Sequence, residues 1–368
     1  MATNRVTRRD FMRDTAAVAA GTAFGLTATY TVQAGNPEKA DTGKIINYNP
    51  DMEYRRCGKT NLMISAVCLG GHWKRIDAVV PNVAAGGWVG LNLDNPDFVK
   101  NRHGVVSRCI DRGINYIDAC MHQEILAFAK ALKGRRDKMY LGFSFSEVEV
   151  RNPDFRKVDK LKESLDKGMK EAGLDHVDLW RITCLEQSSQ HDKATIENTM
   201  KALEWAKKSG RARHTGISSH DRAHVKKLIE EYPEQLEVIC TPYTAKTKVV
   251  EDETGLWAAM KKHDVGWFGI KPFASNSIFK GTSKPDDSNA EKDNEIARLA
   301  IRYILCNKAI TAPIPGLISV EQVDNVALAA AERRELDVEE KARLERAMDR
   351  AWANLPYHYQ WLKDWEYV

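Results

Sequence analysis

Glu171-Ala-Gly-Leu-Asp-His-Val-Asp-Leu-Trp-Arg-Ile-Thr183 ends one helical pattern and opens a β-type run in a single short step. Gly173 stands where helices commonly finish in the left-handed conformation, and Val177–Ile182 is the apolar run that follows. Upstream, Val158–Ala172 is amphipathic at helical spacing. Downstream, Thr195–Lys208 repeats that pattern, closes at Lys208-Ser-Gly210 and gives way to a strand at His214–Ile217. Carried outward, the rhythm predicts further strands at Ile64–Leu69, Ile114–Asp118, Met139–Phe143, Leu236–Thr241, Val265–Ile270 and Ile310–Ile314. Helices are predicted at Ala223–Glu231, Thr254–His263, Ala290–Cys306 and Val320–Ala331. Eight short strands with helices between them suit a parallel sheet, because each parallel strand needs a crossover. The expected class is α/β, a (β/α)8 TIM barrel. A doubly wound open sheet fits less well, since no Gly-x-Gly-x-x-Gly follows the first strand.

The N-terminus carries a different signal. Thr7-Arg-Arg-Asp-Phe-Met-Arg13 precedes a small apolar stretch, Thr15–Ala28, with a plausible cleavage site at Val32-Gln-Ala34. That arrangement matches a twin-arginine export signal. The stretch is shorter than the ~20 residues needed to cross a bilayer, so no membrane anchor is expected after cleavage. The expected organisation is a signal at 1–34, a polar linker at 35–51, the barrel at 52–335 and a C-terminal helix with an aromatic tail at 336–368. The expected location is periplasmic or otherwise exported. Formal net charge is +4, and the leader's Arg5, Arg8, Arg9 and Arg13 against Asp10 and Asp14 account for half of it. So small a remainder argues against nucleic acid or a membrane surface as partner. A small-molecule substrate is expected; composition does not fix the oligomeric state. Cys57, Cys68, Cys109, Cys120, Cys184, Cys240 and Cys306 form no C-x-x-C and read mostly as buried thiols.

Several phrases, in order, resemble the aldo-keto reductases. Met52 to Gly71 resembles that family's opening β-hairpin and first strand. Gly113-Ile-Asn-Tyr-Ile-Asp118 resembles the second strand, and Gly173–Trp180 the helix end and fourth strand. Gly210–Ser219 resembles the fifth strand; Pro313-Ile-Pro-Gly316 and Glu321-Gln-Val-Asp-Asn325 resemble the eighth strand and its helix. The resemblance implies hydride transfer between a nicotinamide cofactor and a small carbonyl, alcohol or sugar. It also implies a proton-donating Tyr supported by Asp, Lys and His. Asp118 stands at the Asp position, but no Tyr follows at the expected spacing, Ser144 replaces the Lys and Thr183 the His.

For the cofactor, the resemblance implies Ser218 and Ser219 at the nicotinamide amide, Lys271 and Pro272 near the diphosphate, and Pro315, Gly316 and Asn325 toward the adenosine. Cys240 and Ile270 replace the family's Gln and stacking Tyr. Glu321 aligns with an Arg that would read a 2′-phosphate, so NAD is expected over NADP, if a cofactor is used at all.

Asp118 and His122, within a turn of one another, are the candidate catalytic groups, His122 because an imidazole titrates near neutrality. Two other readings stand beside this one. A barrel without redox turnover would bind a ligand or carbohydrate. A hydrolase would use Asp118 with Glu186, or a metal held by His72, His122, His220 and Asp118. No metal-spacing motif supports the latter. The tail aromatics Trp352, Tyr357, Tyr359, Trp361, Trp365 and Tyr367 are expected to pack on the barrel exterior, the alternative being a stacking wall over its mouth.

Overall fold

The computed structural model describes residues 42–86, 89–247, 255–332, 335–361 and 363. The leader and the linker up to Asp41 lie outside the described residues. The chain from Gly43 onward forms one unit. It opens with an antiparallel hairpin, β1 (Tyr54–Arg56) and β2 (Met63–Ser65), then enters the barrel at β3 (Leu69–Gly70). A second hairpin, β4 (Ala84–Gly86) and β5 (Val89–Leu91), leads to helix α1 (Pro96–Asp111).

Strand and helix then alternate: β6 (Tyr116–Ala119), α2 (His122–Ala131), β7 (Tyr140–Phe143), α3 (Val158–Ala172), β8 (Val177–Thr183), α4 (Lys193–Lys208), β9 (Ala212–Ser218) and α5 (Arg222–Glu231). After these come β10 (Val238–Pro242), α6 (Leu256–His263), β11 (Gly266–Ile270), α7 (Ala290–Cys306), β12 (Ala312–Ile314), α8 (Val320–Ala331) and α9 (Val338–Ala353). The eight-stranded parallel sheet runs β12-β11-β10-β9-β8-β7-β6-β3. Its seam is drawn together by a Gly70–Gly316 bridge and by amides of Cys68 and Gly70 donating to the Pro313 and Pro315 carbonyls at 3.1 and 2.8 Å. Gly316 is required there, because a Cβ would stand 2.3 Å from the Gly71 carbonyl oxygen. The (β/α)8 barrel expected from the sequence is the observed fold.

One strand differs. The predicted run Ile64–Leu69 is split between β2 and β3. Ser65 breaks it: its hydroxyl donates to the Val67 carbonyl at 2.7 Å, while its amide donates to the Asn115 side chain at 2.9 Å. These local bonds turn the chain out of the ladder. Gly173 does terminate α3, with φ 64°.

Alternation along the strands divides the interior in two. Leu179 points into the barrel with Tyr116, Cys240 and Phe268, where the Tyr116 and Phe268 rings stack at 4.4 Å. Trp180 and Ile182 point outward into the layer beneath the helices. All seven cysteines are free thiols, with Cys120 half-buried and Cys306 exposed. Among the described residues no helix is long and apolar enough to cross a membrane.

Candidate active site

The same alternation that buries Leu179 sends Arg181 and Thr183 to the inside of the barrel's C-terminal end, where they line a cavity of about 490 Å³. Asp118, at the end of β6, lines it too. Arg181 grips Asp118 with both arms of its guanidinium: Nε donates to Oδ1 at 2.8 Å and Nη2 to Oδ2. The Tyr116 hydroxyl donates to Oδ1 at 3.3 Å, and Arg181 Nη1 donates to Thr183 Oγ1 at 3.0 Å. Both partners are buried. Burial alone would lower the Arg181 pKa, but the adjoining Asp118 carboxylate holds it well above the usual value. A bidentate pair of this kind fixes its members in place. Arg181 was not singled out in the sequence, although a charged residue at an inward strand position was a visible signal.

Ser144 and Thr183, which occupy the Lys and His positions implied by the resemblance, carry this network on to a second carboxylate. Their hydroxyls lie 2.8 Å apart, and Ser144 Oγ donates to Glu149 at 2.6 Å. Glu149 is fully buried and also accepts from the Thr183 and Phe145 amides and the Trp180 indole at 2.9, 3.0 and 3.0 Å. Burial pushes its carboxyl above the usual range. Cys120, beside them, keeps a protonated thiol because burial raises its pKa.

On the other side of Cys120, the fully buried Glu124 of α2 accepts from the backbone amide and Nδ1 of His72 at 2.5 and 2.7 Å. It also accepts from the Cys120 and Met121 amides at 2.8 and 3.2 Å.

Of the other candidates, Ser218, Lys271, Pro272, Pro315 and Gly316 line this cavity together with Asp118. Ser219 does not. Its hydroxyl donates to the Glu186 carbonyl and Ser188 Oγ at 3.2 and 2.8 Å, a loop-holding role. His122 is also elsewhere. It begins α2, stacks on Phe145 at 4.8 Å and places Nε2 2.5 Å from Glu171 of α3, outside the cavity lining. A residue one turn beyond a strand end has already entered the outer helix layer, so closeness to Asp118 in sequence does not bring the two together.

Ile270 lines the cavity, whereas Cys240 is buried inside the barrel. Glu186 lines it as well but is held by Arg151 at 2.6 Å. Among the described residues no group of three or more His, Cys, Asp or Glu could hold a metal.

A second cavity of about 320 Å³ adjoins the first and shares Lys74, Phe273, Asn276 and Gly316 with it. Glu321 and Asn325 line it, and Arg298 holds Asn325 at 2.7 Å. The Lys74 pKa is lowered to about 7 by burial and by the nearby Lys271 charge, and burial likewise lowers Lys271.

The aromatic tail corrects the sequence expectation of exterior packing. Tyr359 and Trp361 line the mouth, with Lys74 Nζ 4.0 Å from the Tyr359 ring centre and Lys271 Nζ 5.6 Å from that of Trp361. The His220 ring stacks on Trp361 at 4.5 Å, and burial holds its pKa well below the ordinary value. Trp365 and Tyr367 lie outside the described residues.

A profile of the Aldo/keto reductase family matches residues 94–349. L-glyceraldehyde 3-phosphate reductase of Escherichia coli O157:H7 is 23% identical over 269 residues, covering 67% of this chain and 69% of that one. L-galactose dehydrogenase of Arabidopsis thaliana is 24% identical over 217 residues, 54% and 63% of the two chains. An aldo-keto reductase of Bacillus halodurans in its holo form superposes with a TM-score of 0.57 at 19% identity, covering 84% of this chain and 99% of that one. One of Klebsiella pneumoniae in complex with NADPH gives 0.59 at 16%, covering 80% and 94%. The likeness to the two solved structures is one of fold.

Proposed function

The chain belongs to the aldo/keto reductase family of oxidoreductases, and we propose that it exchanges hydride between a nicotinamide dinucleotide and a small carbonyl, alcohol or sugar by a non-standard proton route. The carrying observation is the pair of adjoining cavities that share Lys74 in their walls, with Lys271 beside it in the larger one. Two ammonium groups close enough for one to depress the other leave a place suited to an anion. A dinucleotide diphosphate has that charge, and its two halves suit two cavities that share a wall. When bound, the nicotinamide supplies the hydride chemistry.

The chain's own residues do the rest. Arg181, held by Asp118, offers a fixed positive charge to a carbonyl oxygen that becomes an alkoxide. Ser218 and Ile270 bound the reacting space, and Tyr359 and Trp361 limit access of water. Glu321 in the second cavity supports NAD over NADP, because its carboxylate would repel a 2′-phosphate. The twin-arginine leader supports export of the folded protein.

The mature protein, purified and titrated with NADH and NADPH by fluorescence, is expected to bind NADH more tightly. Bound nucleotide identified by mass would strengthen the reading; no binding of either at millimolar concentration would sink it. Dinucleotide binding without turnover on any carbonyl would favour the second reading, a binding barrel, for which the replacement of Lys and His by Ser144 and Thr183 argues.

A further inference from the structure

The burial of Glu124 is more than helix capping requires. Its bonds to the Cys120 and Met121 amides cap α2, but a capping glutamate needs neither burial nor an imidazole. An ionised carboxylate out of water is unfavourable unless fully paired. Three features of the chain accommodate this one. Gly71 lacks the Cβ that would stand 2.1 Å from the Glu124 carboxyl carbon. His72 holds φ 54°, a conformation that residues with side chains adopt rarely and that clusters at functional sites. The group presented to the carboxylate is the Nδ1 of that same residue.

Burial alone would raise the Glu124 carboxyl, but the His72 ring and the amides hold it below its ordinary range, so it is ionised. An ionised carboxylate accepts, so Nδ1 carries the proton and Nε2 is the basic nitrogen of the neutral ring. That ring is 39% exposed and lines the cavity with Asp118, Lys74 and Cys120.

We propose that His72, positioned by Glu124, is the acid–base residue of this cavity and takes the proton-transfer role left open where no Tyr follows Asp118 and where Ser144 and Thr183 replace the Lys and His. The proposal rests on the oxidoreductase reading above. In the reducing direction, the imidazolium Nε2–H gives its proton to the carbonyl oxygen as the carbonyl carbon accepts a hydride pair from the reduced nicotinamide. The carbonyl π bond breaks, one C–H and one O–H bond form, and the neutral imidazole regains a proton from water. Glu124 holds the ring in the required tautomer throughout, as the carboxylate of a catalytic triad does for its histidine.

Two arms keep the dyad and the reading apart. Titration with NADH tests the reading alone. Carbethoxylation by diethyl pyrocarbonate, read by peptide mass, tests the dyad whether or not a dinucleotide binds. His72 of the wild-type protein is modified, and Glu124→Gln slows that modification about tenfold. An unreactive wild-type His72, or a rate indifferent to Glu124→Gln, overturns the proposal, and the wild-type result stands even if the variant folds poorly. With NADH and 4-nitrobenzaldehyde as the turnover probe, His72→Gln lowers kcat about 10²- to 10⁴-fold with NADH affinity unchanged. Added imidazole partly restores His72→Ala. A kcat retained in His72→Gln overturns the assignment.

Discussion

Asp118 and Arg181 illustrate why a single substitution at this site has to be read with care. Asp118→Asn removes one charge and leaves the other buried, which costs about 3–5 kcal/mol. Replacing both, as Asp118→Leu with Arg181→Met, removes the charge pair together and is expected to recover most of that loss. Urea unfolding of the single and double variants decides it: equal destabilisation would mean that the pair does not hold the strand ends. Lys74 carries the opposite sign. Its pKa falls from 10.5 to about 7 on folding, so between those values the unfolded chain binds more protons and stability rises with pH. At pH 6 the penalty is complete. Lys74→Met is therefore expected to raise Tm by a few degrees at pH 6 and to make little difference near pH 10.5, measured by calorimetry. Asp118 was legible in the sequence because a motif ends on it. Arg181 was passed over for Thr183 at the strand tip, although both share the inward face. The His72–Glu124 contact spans 52 residues, and nothing local announces it.

At the level of elements, the strands were the most legible part of the chain. Val177–Ile182 became β8 and Val265–Ile270 became β11 within a residue or two, because strands buried on both faces read as continuous apolar runs. The hairpin of β4 and β5 went unanticipated, as did α1. Asn95 caps α1, accepting from the Asp97 and Phe98 amides at 2.9 and 3.1 Å. The tail was misjudged for another reason. Aromatic content predicts burial, and says nothing of which surface provides it. Leu355 and Trp361 pack with Ala274, in the loop that follows β11, and this brings the tail to the mouth.

At the scale of the whole molecule, the barrel depends on one seam. β3 has two residues, against seven in β8 and β9. The seam also joins parts of the chain some 246 positions apart, Gly70 and Gly316, so its closure entropy is the largest in the sheet. Amides of Cys68 and Gly70 are expected to exchange with deuterium before those in the β8–β9 ladder, as read by native-state exchange mass spectrometry. Equal protection would show that the barrel opens as a unit. Gly316→Ala, with its Cβ 2.3 Å from the Gly71 oxygen, is expected to widen that difference. The wall shared by the two cavities bears on time as well as on affinity. A ligand of the kind proposed above, lying across the shared wall of Lys74, Phe273, Asn276 and Gly316, has to leave both cavities at once, which favours slow release. Under the export proposed above, such slow release is what would let the folded protein arrive loaded.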